Sequence, residues 1–369
     1  MRKEECAPCR QCILREKWVI IYDLRTKEVK VRGLGIGHGN PVRVQSMTST
    51  RTEDVAATLA QINALVEAGA ELVRVAVQSR ASVKHFKEIR RETDVPLIAD
   101  VHFDHRIAIM AADAGADKVR INPGNIRGPE KVEEVISALK ANRIPARIGV
   151  NSGSLEEDLI EKHGGVTPEA LVESALRWAD FFLERDYEDF VLSVKSSRVP
   201  DTVKAYRLLA SKTDQPLHIG LTEAGPLWPG AIRSAIALGI LLEEGIGDTI
   251  RVSLTGDPVE EVKTAWEILR SLEIRSRGPM IISCPTCGRT RVDIVPIVQE
   301  ITEAVSKITK PIRIAVMGCE VNGPGEAAEA DIGVAAGRGF GLIFRKGRIV
   351  KRVKPEDIVS ALLEEIEKS

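Results

Sequence analysis

The sequence predicts an α/β chain in which a (β/α)8 TIM barrel is followed by a small second α/β domain, and three observations carry that prediction. Short apolar runs recur eight times between Val42 and Thr255, each followed by a longer segment with helical spacing. The eight units occupy about 230 residues, close to the roughly 250 usual for such a barrel. At Glu273-Ile274-Arg275-Ser276-Arg277-Gly278-Pro279 the rhythm stops, and a different order of elements begins. An open doubly wound sheet is the competing architecture, although it rarely needs eight such even units.

In chain order, the first dozen residues hold Cys6, Cys9 and Cys12, a C-x2-C-x2-C run without a fourth cysteine nearby. It reads as a tail with metal affinity or a second metal site. Trp18 to Asp23 and Glu28 to Arg32 read as two strands of a hairpin around Arg25-Thr26-Lys27, so residues 1–32 form an extension and hairpin. The glycines at 33, 35, 37 and 39 fit no dinucleotide fingerprint and read as turn residues. The barrel takes residues 33–273, with strands at Val42 to Met47, Leu72 to Val77, Leu97 to His102, Lys118 to Asn122, Ala146 to Asn151, Phe190 to Ser196, Leu217 to Glu223 and Thr249 to Thr255. Residues 280–369 form the second domain. Its strands are read at Met280 to Ser283, Ile312 to Met317, Asp331 to Ala336, Gly341 to Arg345 and Arg348 to Val353, with helices at Val292 to Ile308 and Pro355 to Lys368.

Parallel barrel strands are covered on both faces and should read almost wholly apolar. Five of these carry a cation instead: Arg74, Arg120, Arg147, Lys195 and Arg251. Polar residues continue at the same step of two, as in Arg120 and Asn122, Ser193 and Lys195, or Arg251, Ser253 and Thr255; Asn151 follows Arg147 by four. Alternate strand residues share a face, so these groups converge inside the barrel at its C-terminal mouth. The acids in the strand runs are Asp100 and Glu223, which leaves a cation surplus in a chain with 52 basic and 53 acidic residues. A ligand of several negative charges, most simply a diphosphate, balances it, and arginine forks suit phosphate oxygens. Glu223 ends a strand where barrel enzymes place catalytic groups and can protonate a leaving oxygen. Asp100 and His102 have the plainer role of orienting the arginines.

The even charge balance gives no global field for nucleic acid or membrane. No apolar run approaches a membrane span, and the start lacks a signal-peptide core, so the expected location is the cytoplasm, where thiols stay reduced.

The second domain carries S-C-P-T-C-G-R at Ser283 to Arg289 and V-M-G-C-E-V-N-G-P-G-E at Val316 to Glu326. Cys284 and Cys287, joined by Cys319, offer three sulfur ligands to one metal centre. All six histidines lie upstream, which weakens a Cys-and-His zinc site. The glycines at 323 and 325 permit a reversal that returns the Glu326 carboxylate toward the thiolates. Three thiolates and one oxygen suit an iron-sulfur cluster with an exchangeable iron. A redox pair or plain buried thiols remain open for Cys284 and Cys287.

From Val29 onward the chain resembles the bacterial 4-hydroxy-3-methylbut-2-enyl diphosphate synthase family of the non-mevalonate isoprenoid pathway. The resemblance rests on V-Q-S-M-T-S-T at Val44, R-I-N-P-G-N at Arg120, R-I-G-V-N-S-G-S at Arg147, H-I-G-L-T-E-A-G at His218, R-V-S-L-T at Arg251, C-P-T-C-G-R at Cys284 and M-G-C-E-V-N-G-P-G-E at Met317. It implies a [4Fe-4S] cluster held by Cys284, Cys287, Cys319 and Glu326, and substrate phosphate contacts by Arg74, Arg120, Arg147, Asn151, Lys195, Arg251 and Ser253. It also implies reductive opening and dehydration of 2-C-methyl-D-erythritol 2,4-cyclodiphosphate, with reduced flavodoxin or ferredoxin as donor, since no nicotinamide fingerprint is present. Two other classes stay open: an iron-sulfur electron carrier or scaffold, and a zinc-dependent phosphate-ligand barrel enzyme. The cysteine run at 6–12 departs from the family pattern.

A head-to-tail homodimer is expected on geometry as well as on the resemblance. The eighth barrel helix, Pro258 to Leu272, runs back to the face opposite the mouth. It spans about 22 Å at ~1.5 Å per residue. A seven-residue linker reaches at most about 25 Å, so each cluster domain closes a partner's barrel more easily than its own.

Overall fold

The computed structural model describes residues 26–126, 128–319 and 329–368. Cys6, Cys9, Cys12, the strand expected at 18–23 and Glu326 lie outside the described residues. The chain divides into two compact units, with the break after Arg275.

In the first unit β1 (Val29–Val31) pairs antiparallel with β2 (Leu34–Ile36), Val29 opposite Ile36. The strand expected at Glu28 to Arg32 is thus found, paired forward onto Leu34–Ile36; its expected partner at 18–23 lies outside the described residues. Arg32 (φ 48°) and Gly33 (φ 81°) supply the two left-handed residues of a tight primed turn, so the strand at Val29 turns forward onto Leu34. The buried side chains of Val29, Val31 and Ile36 pack on Leu72, Ile98 and Val191.

Eight parallel strands follow: β3 (Arg43–Met47), β4 (Leu72–Ala76), β5 (Leu97–Asp100), β6 (Lys118–Ile121), β7 (Ala146–Asn151), β8 (Phe190–Lys195), β9 (His218–Ile219) and β10 (Thr249–Ile250). Each pairs with its sequence neighbour, and β10 returns to β3. The last seam, β8 to β9, is a single parallel bridge between Leu192 and Leu217, with the Leu192 N–H donating to Pro216 O at 2.9 Å. The sheet therefore closes as the expected (β/α)8 barrel. β9 and β10 are shorter than the apolar runs suggested; Gly220 to Glu223 and Arg251 to Thr255 continue beyond them without regular pairing.

Helices form where caps and apolar spacing coincide. Asp54 accepts the Ala57 N–H before Val55–Ala68, and Gly69 (φ 111°) ends that helix. Ser79 and Ser82 form a reciprocal cap before Arg80–Arg91. The apolar strand residues, among them Val73, Val75, Ala99, Val119, Ile121, Ile148 and Val194, face outward onto helix residues such as Ile62, Leu65, Phe86, Ile89, Leu139 and Leu269. The core of this unit is therefore the shell between strands and helices, and the barrel lumen is left to the alternate residues.

The last helix, Pro258–Ser271, returns to the N-terminal ends of the strands. The Trp266 indole donates to Gly69 O at 3.0 Å, and Arg275 donates to Val42 O at 2.6 Å and pairs with Glu71 at 2.7 Å.

The second unit is a five-stranded sheet of β11 (Pro279–Ser283), β12 (Ile312–Met317), β13 (Ile332–Gly337), β14 (Phe340–Arg345) and β15 (Arg348–Val353), in sequence order. The first three strands are parallel, and β13 to β15 form an antiparallel meander. Helices Ile294–Ala304 and Ile358–Glu367 cover one face, burying Ile301, Ile358 and Leu362 against Ile314, Val316, Val334 and Ile343.

Candidate active site

The period of two read from the strands is realised as a polar lumen. On β6, Lys118 and Arg120 are buried, as is Asn122 just beyond. Arg74 on β4, Arg147 on β7 and Lys195 on β8 are also buried, and Arg251, just past β10, is half-buried. The hairpin β1–β2 packs on Leu72, Ile98 and Val191, which share the inward face of their strands with Arg74, Asp100 and Lys195, so it closes the lumen floor and leaves the cations toward the mouth.

Asp100 organises one side. Arg120 Nη1 donates to Asp100 Oδ1 at 3.1 Å and lies 2.5 Å from His102 Nε2, while Arg74 Nε lies 3.6 Å from Asp100 Oδ2. Burial by itself raises the Asp100 pKa, but Arg74 and Arg120, with His102, hold it well below the usual carboxylate range. Arg74 otherwise meets the Met47 thioether, a weak acceptor, at 2.8 and 3.1 Å. Burial and the nearby Arg251 and Arg120 charges lower its pKa to about 9 despite Asp100.

The opposite side has neutral partners. Lys195 Nζ lies 3.3 Å from His218 Nε2, and His218 Nδ1 lies 2.8 Å from Thr249 Oγ1. An ammonium can only donate, so His218 accepts at Nε2 and carries its proton on Nδ1. Tyr206 anchors the same residue by donating to His218 O at 2.7 Å. Burial, then the Lys195 and Arg147 charges, push the His218 pKa far down and keep the ring neutral. Burial, with Arg147 and Arg251, likewise lowers Lys195. Arg147 is buried with Nε and Nη1 lacking any hydrogen-bond partner, and so is Lys118 Nζ. Burial, with Arg147 and Arg74, brings the Lys118 pKa down to about 7.

Two glycines make the room. A Cβ on Gly149 would lie 2.9 Å from Arg120 Nε, and one on Gly220 would lie 2.5 Å from Lys195 Nζ. Gly149, Gly220, His218 and Tyr206 carry no charge signal, and sequence reasoning gave them no role. Lys118 was open to it, since it sits two residues before Arg120.

The charge count read from the sequence needs correction. Glu223 is exposed in the bend beyond β9 with φ 54°, not on the strand. The second acid of the lumen wall is instead Glu261, a buried residue of helix Pro258–Ser271 that lies 3.4 Å from Arg251 Nη2 and accepts the Leu254 N–H at 2.9 Å. Six cations, Lys118 included, thus converge with Asp100 and Glu261 as their acids. Asn151 pairs in register with Lys195, and Ser253 follows Arg251 in the extended segment; both are half-buried.

In the second unit Cys284 follows β11 and Cys319 follows β12. The Gly318 N–H lies 3.2 Å from Cys284 Sγ, which brings these two thiol positions side by side. Cys287 is exposed, and its pKa is lowered, first by the Arg289 N–H and then by the Arg289 charge, despite slight desolvation. Donated N–H groups and the lowered pKa of Cys287 suit thiolate ligands of a metal cluster. Among the described residues no three His, Cys, Asp or Glu side chains are gathered closely enough to hold a metal ion.

Fold and site together define a (β/α)8-barrel enzyme with a cation-lined lumen, joined to a small thiol-bearing α/β unit. Residues 26–266 match the GcpE TIM-barrel domain, and residues 280–368 match the GcpE protein C-terminal domain. The chain belongs to the GcpE family. It is 53% identical over 344 residues to the 4-hydroxy-3-methylbut-2-en-1-yl diphosphate synthase (flavodoxin) of Maridesulfovibrio salexigens, covering 93% of this chain and 96% of the relative. It is 52% identical over 343 residues to the protein of the same name from Caldanaerobacter subterraneus, covering 93% and 97%. A solved dihydropteroate synthase from Stenotrophomonas maltophilia is similar over 67% of this chain and 98% of that one, at 16% identity and a TM-score of 0.48.

Proposed function

We propose that the chain opens 2-C-methyl-D-erythritol 2,4-cyclodiphosphate and removes one oxygen as water, taking up two electrons and two protons, to give 4-hydroxy-3-methylbut-2-enyl diphosphate. The relatives are named for that product. The observation that carries the reading is the buried surplus of cations. Arg147 and Lys118 present donors with no protein partner inside a closed barrel, and unpaired buried charge is costly unless a ligand supplies the counter-charge.

In this reading Arg74, Arg120, Arg147, Lys195 and Arg251, with Asn151 and Ser253, bind the diphosphate. Asp100 and His102 aim Arg120, and His218 holds Lys195 without neutralising it. Glu223, in the bend beyond β9, delivers a proton to the departing oxygen. Cys284, Cys287, Cys319 and Glu326 hold a [4Fe-4S] cluster, which when bound supplies single electrons and a Lewis-acidic iron. Reduced flavodoxin, or ferredoxin, is the donor. Among the described residues no helix is long and apolar enough to cross a membrane, which accords with a cytoplasmic enzyme.

The active assembly is a head-to-tail homodimer. The barrel's last residue, Arg275, is fastened to Val42 and Glu71, at the strand ends opposite the cation-lined mouth, so the linker to the thiol unit starts from the far face.

Calorimetric titration under nitrogen tests the substrate reading. The wild-type chain binds the cyclodiphosphate tightly, and Arg147→Ala binds it far more weakly without any loss of thermal stability. Equal affinity of the two would overturn it.

A further inference from the structure

The second unit carries an unbalanced charge patch that substrate binding does not use. Between Ile332 and Lys354 there are seven lysines and arginines and no acid, in a chain of net charge −1. Arg345 and Lys351 are paired with Glu365 and Glu364, each at 3.1 Å. Arg338, Lys346, Arg348, Arg352 and Lys354 are exposed; of these Arg352 lies over the Phe340 ring at 4.1 Å, and Lys354 is 4.0 Å from Glu356 just past the run.

Sheet register places part of this charge beside the thiols. Met317 on β12 lies opposite Ala335 on β13, Ala335 opposite Leu342 on β14, and Leu342 opposite Arg352 on β15. Cys284 and Cys319 leave the sheet at that end, because Ser283 of β11 lies opposite Val316 of β12. The Arg338 turn, Arg352 and Lys354 share it. Three strand steps of ~4.8 Å put Arg352 about 15 Å from β12.

A protective role for cations on an edge strand is the plainer reading. It covers Lys351 and Arg352, but not Arg338, which stands in the turn at the thiol end. Exposed charge of one sign gathered at one end of a sheet is instead the makings of a docking face for a partner of opposite sign.

We propose that this end of the sheet, formed by the Arg338 turn and the last residues of β15, is the docking surface for a small acidic one-electron carrier protein. The inference rests on the reading of Cys284, Cys287 and Cys319 as cluster ligands. Flavodoxins and ferredoxins are acidic as a class, and the local positive field steers them to the edge nearest those thiols. One electron leaves the carrier and enters the cluster in each encounter, and no covalent bond changes.

The test is a triple variant, Arg338→Glu, Arg352→Glu and Lys354→Glu, with Arg338→Gln, Lys354→Gln as a milder form. Its control reverses three exposed charges on the barrel, Lys84→Glu, Lys87→Glu and Arg91→Glu. Binding of oxidised flavodoxin is titrated at several salt concentrations, and reduction is followed with flavodoxin and with uncharged photoreduced deazariboflavin. The triple variant is expected to lose about tenfold or more in flavodoxin affinity and rate at low salt and to lose most of the salt dependence. The milder form loses part of each. Deazariboflavin reduction and the control stay as wild type. Unchanged flavodoxin affinity in the triple variant overturns the proposal. So does an equal loss in the control, which would make net charge the cause, or wild-type flavodoxin binding alongside lost retention on heparin or on phosphatidylserine vesicles. If iron and sulfide are absent from anaerobically purified protein, the cluster reading fails, while the binding titration still decides the docking surface.

Discussion

At the scale of single residues, each lumen cation is defined by what its partner leaves undone. Arg120 is held by Asp100 and His102, yet its Nε has no partner, and neither do Nε and Nη1 of Arg147. Arg120→Ala or Arg251→Ala is expected to weaken diphosphate binding by roughly 2 to 5 kcal/mol, the usual range for truncating one partner of a buried charged pair, as calorimetric titration would show. Gly149→Ala tests the same arginine from the other side. The added methyl displaces the Arg120 guanidinium, and substrate affinity should fall about as far as in Arg120→Ala while the helical circular dichroism is kept. Lys118 gives a pH signature. Its pKa is about 7 in the fold, against about 10.4 in an unfolded chain. Between those values the unfolded chain binds more protons, so the Lys118 contribution makes stability of the ligand-free protein rise with pH from about 7 to about 10. Lys118→Met is expected to melt higher than wild type at pH 7, with the advantage shrinking toward pH 10. An advantage independent of pH would mean that Lys118 is not depressed.

At the scale of elements, the strands were legible because a barrel strand writes its two faces alternately. Lys118, Arg120 and Asn122 stand out against Val119 and Ile121 in five consecutive letters. What was not legible depended on contacts across the sequence. Glu261 is the buried acid opposite Arg251, but it lies on a helix, where nothing local separates it from the adjacent surface acid Glu260. Gly149 and Gly220 matter only through the long side chains of neighbouring strands that fill the space above them. The hairpin that forms was read in part: Glu28 to Arg32 was read as a strand and Gly33 as a turn residue, but the strand Leu34–Ile36 was hidden among the glycines around it, and Thr26 donates its hydroxyl to Asp248 at 2.8 Å. The hairpin as found carries its own prediction. Ile36 is fully buried in the barrel floor, so Ile36→Ala should lower the stability of the barrel by roughly 2 to 5 kcal/mol in urea unfolding. A cost below 0.5 kcal/mol would show that the floor holds without it.

At the scale of the whole molecule, the cations belong to one unit and the thiols to the other, and on the proposed reading the two divide the work. If each site is shared between chains, mixing inactive Arg251→Ala with inactive Cys319→Ser under subunit exchange restores activity, because the mixed dimer contains one intact pair of units. Confirmed exchange without recovery would place the site within one chain. A last consequence follows from the alternation of faces along the barrel strands. Val119, Ile121, Ile148 and Val194 help hold the barrel to its helices, while Lys118, Arg120, Gly149 and Lys195, one letter away, touch only the lumen. The strands thus carry two interleaved texts, one that decides whether the chain folds and one that decides what it grips. The second can be rewritten by descent, letter by letter, without disturbing the first, and a new anion or a neutral ligand becomes reachable through changes that leave the scaffold intact.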